Sequence, residues 1–277
     1  MGTRCSDPRG FFNTHRALPL HMPPSQEPIR LSAVSQELVG LQDDVRDFFG
    51  WDLADDMESA QLLLSRVEGS EVETWMRHKR LVTISKLYRR LVIRRSDVLI
   101  LGAALEPEEL ADALSRPSLL VAADGSSGAL SELPGSICDK AWSRLVCVVS
   151  DADGGDGTFE AVKRSVPIVL HAHGDNRTEW SKLLEFAETL TDPPDLVLTH
   201  QTPELIRGMH NPGGFTDGDR AVSFLLALGV DKNQISLLGT RNDLVGRWSG
   251  KTQHSIKMEK LSWMTRFLDV QGFQVNS

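Results

Sequence analysis

The chain has 277 residues, of which 40% are hydrophobic and 25% are charged, a composition typical of a globular protein. Its net charge of −8 disfavours nucleic acid and anionic membranes as partners. No apolar run approaches the roughly eighteen residues of a membrane span, and the few cysteines show no paired spacing. We therefore predict a cytoplasmic protein that binds neither nucleic acid nor a membrane.

The chain begins with two segments that differ in pattern. Residues 1–28 contain proline and glycine without periodicity, and we predict a loose extension there. Residues 29–95 place apolar side chains at three- and four-residue steps, which predicts a helical lead-in. Its basic end favours a solvated helix face over a nucleic-acid patch, because apolar residues recur at helical spacing beneath the charges: Leu81, Ile84, Leu87 and Leu91.

Residues 96–277 alternate between short apolar runs and helix-like segments, and this predicts an α/β domain with a mostly parallel sheet and flanking helices. The apolar runs are DVLILGAAL, SLLVAADGSS, RLVCVVSDADGG, VPIVLHAHGDN, DLVLTHQTP and QISLLGTRND. Ligands bind such a sheet outside the carboxyl ends of its strands. The polar residues that follow these runs are therefore the predicted site.

Two acidic motifs follow the second and third runs. In AADGSSG, Asp124 offers a carboxylate at the ligand edge, and Gly125 lets the backbone approach closely; an Asp-Gly turn is the structural alternative. In SDADGG, Asp151 and Asp153 fall on one side of an extended segment. Such a pair suits Mg²⁺, which takes few carboxylates together with water and substrate phosphates, although a plain flexible turn is also compatible with it.

The fourth run ends in HAHGDN, which places His171, His173 and Asp175 on one side if the strand continues, followed by Asn176. These histidines suit hydrogen bonding and positive charge offered to a phosphate. His-x-His is also a zinc spacing, with His200 or His210 as further ligands, so a zinc-dependent hydrolase remains open. A buried, hydrogen-bonded histidine is the structural alternative for either residue.

The motif NPGGFTDGDRA is a glycine-rich loop that leads into a helix. Its amides form a potential anion cradle, and Arg220 is suited to grip a phosphate. Thr216, Asp217 and Asp219 lie near the predicted helix N-terminus, where the helix dipole also stabilises carboxylates for purely structural reasons. Neither a complete phosphate loop of the Walker type nor a GxGxxG motif occurs.

Taken together, AADGS, SDADG, HAHGDN and GFTDGDRA, in this order, resemble the archaeal 6-hydroxymethylpterin diphosphokinase family, which is related to thiamin pyrophosphokinase. The resemblance implies a thiamin pyrophosphokinase-like catalytic fold and transfer of diphosphate from ATP to 6-hydroxymethyl-7,8-dihydropterin, with release of AMP. The product would serve tetrahydromethanopterin or folate biosynthesis. The chain departs from the family in GAALEP, which replaces a glycine-rich turn after the first strand.

The resemblance also implies roles for individual residues and ligands. Mg²⁺ is the expected cofactor, ATP the co-substrate and a reduced pterin alcohol the acceptor; assembly into a homo-oligomer is compatible with the sequence. The expected metal ligands are Asp151, Asp153, Asp175 and Asp217. The expected catalytic residues are Asp151, Asp153, His171, His173 and Asp175. The expected nucleotide-site residues are Asp124, Gly125, Asn176, Thr216, Asp217, Asp219 and Arg220.

Two further points stay open in the sequence. The pterin ring is expected to stack on an aromatic or apolar wall and to satisfy its ring edge through a carboxylate or Asn176; Phe215 and Trp180 are aromatic residues near the motifs in sequence. A glycosyltransferase-like, sugar-nucleotide-binding relative is a second alternative to the diphosphokinase, beside the zinc-dependent hydrolase. The shared motifs alone therefore leave the acceptor undecided.

Overall fold

The computed structural model describes residues 30–250 and 253–275, so the predicted extension 1–28 lies outside the described residues. The strands are β1 Val98–Leu101, β2 Leu119–Ala123, β3 Leu145–Ser150, β4 Ile168–Ala172, β5 Leu196–His200 and β6 Ile235–Leu238. They form one sheet in the order β5-β4-β3-β2-β1-β6, and every neighbouring pair is parallel. The predicted α/β class with a parallel sheet is confirmed.

Helices cover both faces of this sheet. In the described part of the chain they are α1 Gln36–Phe49, α2 Leu53–Glu68, α3 Arg77–Tyr88, α4 Pro107–Ala113, α5 Gly128–Ser131, α6 Gly135–Arg144, α7 Gly155–Lys163, α8 Arg177–Glu188, α9 Asp217–Leu228 and α10 His254–Val270. The first three confirm the predicted helical lead-in, while its boundary with a catalytic domain at residue 96 stays a prediction. None of these described helices combines the length and apolar character that a membrane crossing requires.

The order of the strands explains where the helices lie. From β1 to β5 the chain moves across the sheet in one direction, so right-handed connections place α4 to α8 on one face. The chain then returns through α9, which packs on the opposite face over β1, β2 and β3, and adds β6 beside β1. The strand order therefore reverses between β1 and β6, with α4 following β1 on one face and α10 packing against α9 on the other, and a ligand crevice is expected at the carboxyl ends of these two strands.

The strands are apolar throughout because both faces of the sheet are buried. In β4, Ile168 and Leu170 point into the core layer shared with α2 and α8, while Val169 points into the layer shared with α3 and α9. All residues of β4 are buried, including His171. A histidine in such a strand needs internal hydrogen-bond partners, which the neighbouring strand supplies below.

A buried ion pair attaches the N-terminal helices to the carboxyl edge of the sheet. Arg46 on α1 donates to Asp56 on α2 at 3.0 Å and to the carbonyl oxygen of Gln201, after β5, at 3.0 Å. Asp56 also accepts from the amide of Gly174, after β4, and from Nε2 of Gln201, each at 2.8 Å. The helical lead-in is thereby fixed to the segments that follow β4 and β5.

Replacing Arg46 by methionine should lower the free energy of unfolding by about 3–5 kcal/mol, because it leaves Asp56 buried without its cation. The matched control is Arg66→Met, which removes a partly exposed guanidinium paired with Glu188. That change should cost about 1 kcal/mol or less. Urea unfolding of both variants at pH 7 measures the difference, and equal losses would contradict the role given to the buried pair.

Candidate functional site

A cavity of about 950 Å³, including its open mouth, lies at the carboxyl edge of the sheet. It extends from the crevice between the ends of β1 and β6 to the start of α9 and the inner side of α10. The polar residues that line it include Asp124, Asp151, Asp153, His173, Thr216, Asp217, Arg220, Lys257 and Lys260. The strand ends predicted to form a site do meet at one edge.

Three carboxylates lie close together in this cavity. Oxygen atoms of Asp124, Asp151 and Asp217 all lie within 4.8 Å of one another. Asp124 follows β2, Asp151 follows β3, and Asp217 is the first residue of α9. We call these three residues the acidic triad; Asp153 lines the same cavity beside it.

Local backbone geometry turns Asp124 into the cavity. Its φ of 47° is a left-handed conformation, which aspartate tolerates better than most residues. Its Oδ1 accepts hydrogen bonds from the hydroxyls of Ser150 and Thr158. Gly154 of SDADGG is needed because the loop passes directly over this carboxylate, and a Cβ at Gly154 would collide with Asp124.

The segment after β3 differs from the expected extended Asp-x-Asp. Ala152 has a φ of 76°, so the chain turns sharply between the two acids. The amide of Asp153 then donates to Oδ1 of Asp151 at 3.3 Å. The expectation of an extended segment is therefore wrong, although both carboxylates still line the cavity.

Burial and mutual repulsion set the charge of the triad. Burial, and then the charges of Asp217 and Asp151, raise the pKa of Asp124 well above its ordinary value. Burial and the charge of Asp151 raise the pKa of Asp217 to about 7. The same two causes also raise the pKa of Asp153. Such a cluster favours a bound cation, and its oxygen donors fit Mg²⁺.

His173 counters the negative charge of the triad. Its Nε2 lies 3.2 Å from Oδ2 of Asp151, and its Nδ1 lies 2.8 Å from Oδ1 of Asp175. Burial lowers the pKa of His173, but the two hydrogen bonds outweigh burial and raise it to about 9. Burial raises the pKa of Asp151, but the hydrogen bond with His173 and the charge of that residue outweigh burial and lower it. At neutral pH His173 is therefore a cation beside the ionised Asp151.

His171 has a different environment, below the rim of the cavity. Its Nδ1 lies 3.0 Å from the hydroxyl of Thr199, and its Nε2 lies 3.3 Å from Oε1 of Gln201. Burial, and then the positive charge of Arg220, lower the pKa of His171 well below its ordinary value. His171 is thus a neutral, hydrogen-bonded histidine within the sheet, and the two histidines do not act as an equivalent pair.

Asp175 and Asn176 organise the loop after β4. The side chain of Asp175 is 84% exposed, and its carboxylate contacts His173 and is not part of the triad. Nδ2 of Asn176 donates to the carbonyl oxygens of Asp151 and His171, and its Oδ1 accepts from the amide of His173. Asp175, a predicted metal ligand, and Asn176, a predicted nucleotide-site residue, therefore both contact His173 and are not members of the triad.

The start of α9 combines a helix cap with part of the cavity wall. Asp219 accepts from the backbone amides of Phe215 and Thr216 at 2.6 and 2.8 Å, and this closes a capping box with Thr216. Arg220 is 1% exposed, and it donates to Asp217 at 2.8 Å and to the carbonyl oxygen of Phe215. Arg220 thus holds Asp217 in place, and Asp219 shapes the helix start.

The packing around Gly125 is close enough to require glycine. A Cβ at this position would collide with the carbonyl oxygens of Gly154 and Trp248. The loop after β3 and the segment before α10 therefore meet directly over the start of the turn that follows β2. Gly125 is thus required by the packing of protein backbone, and its predicted approach to a ligand stays a prediction.

The histidines named for a zinc site are engaged elsewhere. Nδ1 of His200 accepts from the amide of Thr202, and Nδ1 of His210 accepts from the amide of Leu31. Burial lowers the pKa of both histidines to about 4. Within residues 30–250 and 253–275, the acidic triad is the one group of three or more potential ligands whose atoms converge. This arrangement gives the zinc alternative no support.

Two parts of the cavity wall were missed by the sequence analysis. Lys257 and Lys260 face the cavity from α10, a helix that the spacing of the buried residues Trp263, Met264, Phe267 and Leu268 could have predicted. Trp51, in the connection between α1 and α2, also lines the cavity. By contrast Trp180 is 2% exposed in the core beneath α8, so the expectation that it stacks on a ligand is wrong.

No family model matches the chain, but three archaeal proteins are similar to it, all named 6-hydroxymethyl-7,8-dihydropterin pyrophosphokinase. The protein of Methanothermobacter thermautotrophicus is 28% identical over 240 residues, or 81% of this chain and 89% of the relative. The Pyrococcus furiosus protein is 36% identical over 47% of this chain and 48% of its own. The Methanocaldococcus jannaschii protein is 29% identical over 64% of this chain and 67% of its own length. The first match is longer than residues 96–277, so it includes part of the helical lead-in.

The affinity of the protein for Mn²⁺, used as a probe, should increase between pH 6 and pH 8. Below its pKa of about 7 Asp217 is protonated, and the proton must leave before the carboxylate can bind a cation. For each proton that must leave when Mn²⁺ binds, the Mn²⁺ affinity rises by up to about tenfold per pH unit. Calorimetry in buffers of different ionisation enthalpy measures the protons released. Asp217→Asn should release fewer protons, and an affinity independent of pH would contradict this account of the triad.

Proposed function

We propose that this relative of the archaeal 6-hydroxymethyl-7,8-dihydropterin pyrophosphokinases transfers the diphosphate of ATP to the hydroxymethyl group of 6-hydroxymethyl-7,8-dihydropterin, with AMP as the second product. The three relatives confirm the predicted family resemblance and the enzyme class. Their names favour neither the hydrolase nor the sugar-nucleotide alternative. The observation that carries the proposal is the convergence of Asp124, Asp151 and Asp217 in a cavity at the carboxyl edge of the sheet.

The acidic triad would hold Mg²⁺. Its carboxylate oxygens are the hard ligands that this ion prefers. Burial, and then the negative charges of Asp217 and Asp151, raise the pKa of Asp124, and a bound cation would offset both effects. When bound, Mg²⁺ neutralises phosphate oxygens of ATP and favours attack at phosphorus. Of the metal ligands predicted from sequence, this set keeps Asp151 and Asp217, and it adds Asp124. Asp175 is not part of it, because its carboxylate contacts His173.

Diphosphoryl transfer requires positioning and charge compensation by the protein. The acceptor oxygen forms a bond with the β-phosphorus while the bond from that phosphorus to the oxygen of the α-phosphate breaks, and AMP leaves. Negative charge then grows on the departing oxygen. His173, Lys257 and Lys260 line the cavity and supply positive charge to the phosphates.

The proton of the acceptor hydroxyl also needs a base. Asp153 lines the cavity without being a member of the triad, and burial together with the charge of Asp151 raises its pKa. A raised pKa makes a carboxylate a better proton acceptor near neutral pH. We assign the base role to Asp153, because His173 is already protonated and His171 lies below the cavity.

The nucleoside part of ATP would occupy the crevice between the ends of β1 and β6. Ala103 and Ala104 replace the family's glycine-rich turn, but their small side chains still line the cavity. The amide of Ala104 donates to the carbonyl oxygen of Gly239 at 2.9 Å, which links the two strand ends. A Cβ at Gly246 would collide with Ala103, so the segment after β6 packs closely over this turn. The residues that follow β1 and β6 therefore form a closely packed wall of the cavity.

Purified protein supplied with ATP, Mg²⁺ and 6-hydroxymethyl-7,8-dihydropterin should produce AMP and the pterin diphosphate in equal amounts. Chromatographic separation of the nucleotides measures this stoichiometry directly. Omission of the pterin should abolish AMP formation. Formation of ADP in place of AMP would show transfer of a single phosphoryl group and would contradict the proposal.

Asp151→Asn should lower kcat by about a hundredfold or more, because it removes charge from the triad and from the contact with His173. The matched control is Asp156→Asn, in the same SDADGGDG segment, where the side chain is exposed at the start of α7. The control should keep kcat within about twofold, since surface substitutions are usually near neutral. Circular dichroism of both variants checks the fold, and normal turnover by Asp151→Asn would remove Asp151 from the site.

A further inference from the structure

We infer that the indole of Trp51 is the surface on which the pterin ring of the acceptor stacks; this inference rests on the proposed function. Trp51 lies between Gly50 and Asp52, in the connection from α1 to α2. It lines the same cavity as the acidic triad, and 38% of its surface is exposed. A large, partly exposed aromatic side chain in a cavity wall is a natural surface for a flat heterocycle.

The position of Trp51 is fixed on both sides of the connection. Gly50 ends α1 with a φ of 67°, and the amide of Trp51 donates to the carbonyl oxygen of Arg46 at 2.9 Å. Asp52 caps α2 by accepting from the amide of Ala54 at 2.9 Å. These contacts fix the backbone that carries Trp51, so little backbone freedom is lost when a ligand binds.

Two other large aromatic side chains that line the cavity are less exposed than Trp51 and are engaged by neighbouring residues. Phe215 is 8% exposed and packs among Phe49, Trp51 and Phe267. The indole of Trp248 donates to the carbonyl oxygen of Leu105 at 2.9 Å, and a guanidinium lies 4.5 Å from its ring centroid. A Cβ at Gly128 would collide with that same indole. Among the aromatic rings lining the cavity, Trp51 is the one with a substantial open surface.

One face of the Trp51 indole is supported and the other remains for a ligand. Phe49 stacks against it with ring centroids 4.6 Å apart and an interplanar angle of 14°. The ammonium of Lys260 lies 5.4 Å from the centroid of the indole. A heterocycle on the open face would replace this cation–π contact, which is weak at exposed sites. Lys260 would then remain close to the acceptor and its phosphates.

The order of the strands places Trp51 on the acceptor side of the triad. Arg46 ties the base of this connection to Gln201, after β5, whereas the proposed nucleoside crevice lies between β1 and β6. The triad residues Asp124 and Asp151 follow β2 and β3, which lie between those edges. This is the order of acceptor, phosphates and nucleoside that in-line transfer requires.

Binding of 6-hydroxymethylpterin by calorimetry, in the presence of Mg²⁺ and a non-hydrolysable ATP analogue, tests the inference without turnover. Trp51→Leu should weaken pterin binding by about ten- to a hundredfold, the range expected for loss of stacking on one aromatic ring. Trp51→Phe keeps a smaller ring and should lose less than about tenfold. The matched control is Phe48→Leu, three residues earlier at the end of α1, where the ring is 56% exposed and does not line the cavity.

Steady-state kinetics separates a stacking role from a general structural one. Trp51→Leu should raise KM for the pterin alcohol while KM for ATP stays within about twofold. Unchanged pterin affinity in Trp51→Leu, or an equal rise of both KM values, would overturn the inference. If the wild-type protein binds pterin through Trp51 but forms no pterin diphosphate, the proposed function is contradicted and the stacking role is not. If the wild-type protein turns over normally and the Trp51→Leu variant is equally active, the stacking role is contradicted and the proposed function is not.

Discussion

The structure of the site depends on carboxylates that are held together against their mutual repulsion. Asp124 and Asp151 follow neighbouring parallel strands, and the return of the chain through α9 brings Asp217 to the same edge. The fold compensates part of their charge with His173 and Arg220 and binds Asp124 through hydroxyl groups. A divalent cation would remove the remaining repulsion, so the fold and the proposed chemistry have the same electrostatic requirement.

Local backbone strain accompanies this arrangement. Asp124 and Ala152 both adopt positive φ angles beside the triad, and such conformations cost of order 1–3 kcal/mol each for most non-glycine residues. Surrounding hydrogen bonds and the tight passage of Gly154 over Asp124 maintain them. The strain is concentrated where carboxylates must face the cavity, which is typical of a site whose geometry is selected for binding.

The helices that precede the sheet are part of the same site. Asp56 receives hydrogen bonds from Arg46 and from Gln201, and the Oε1 atom of Gln201 faces His171. This buried chain of contacts links α1 and α2 to the carboxyl ends of β4 and β5, at one side of the sheet. It also fixes the connection that carries Trp51. The lead-in thus supplies one wall of the cavity, while the sheet supplies the acidic centre.

Much of this site could be predicted from sequence because the relevant acids follow strands, and parallel strands end at one edge. The sequence could not separate His171 from His173, since β4 ends between them and only the second leaves the sheet. It could not show that Asp219 caps a helix or that Asp175 supports a histidine, because the same carboxylate suits each role. Trp51 and the lysines of α10 lie far along the chain from the motifs, and only the tertiary fold brings them to the cavity.

The central claim is that the acidic triad binds a divalent cation that holds the phosphates of the nucleotide. The most direct test is anomalous diffraction from crystals of the protein grown with Mn²⁺ and a non-hydrolysable ATP analogue. The account predicts a Mn²⁺ peak within about 2.0–2.3 Å of oxygens from Asp124, Asp151 and Asp217, and bonded to phosphate oxygens. A Mn²⁺ ion at His171 and His173, or a triphosphate bound away from the triad, would contradict it.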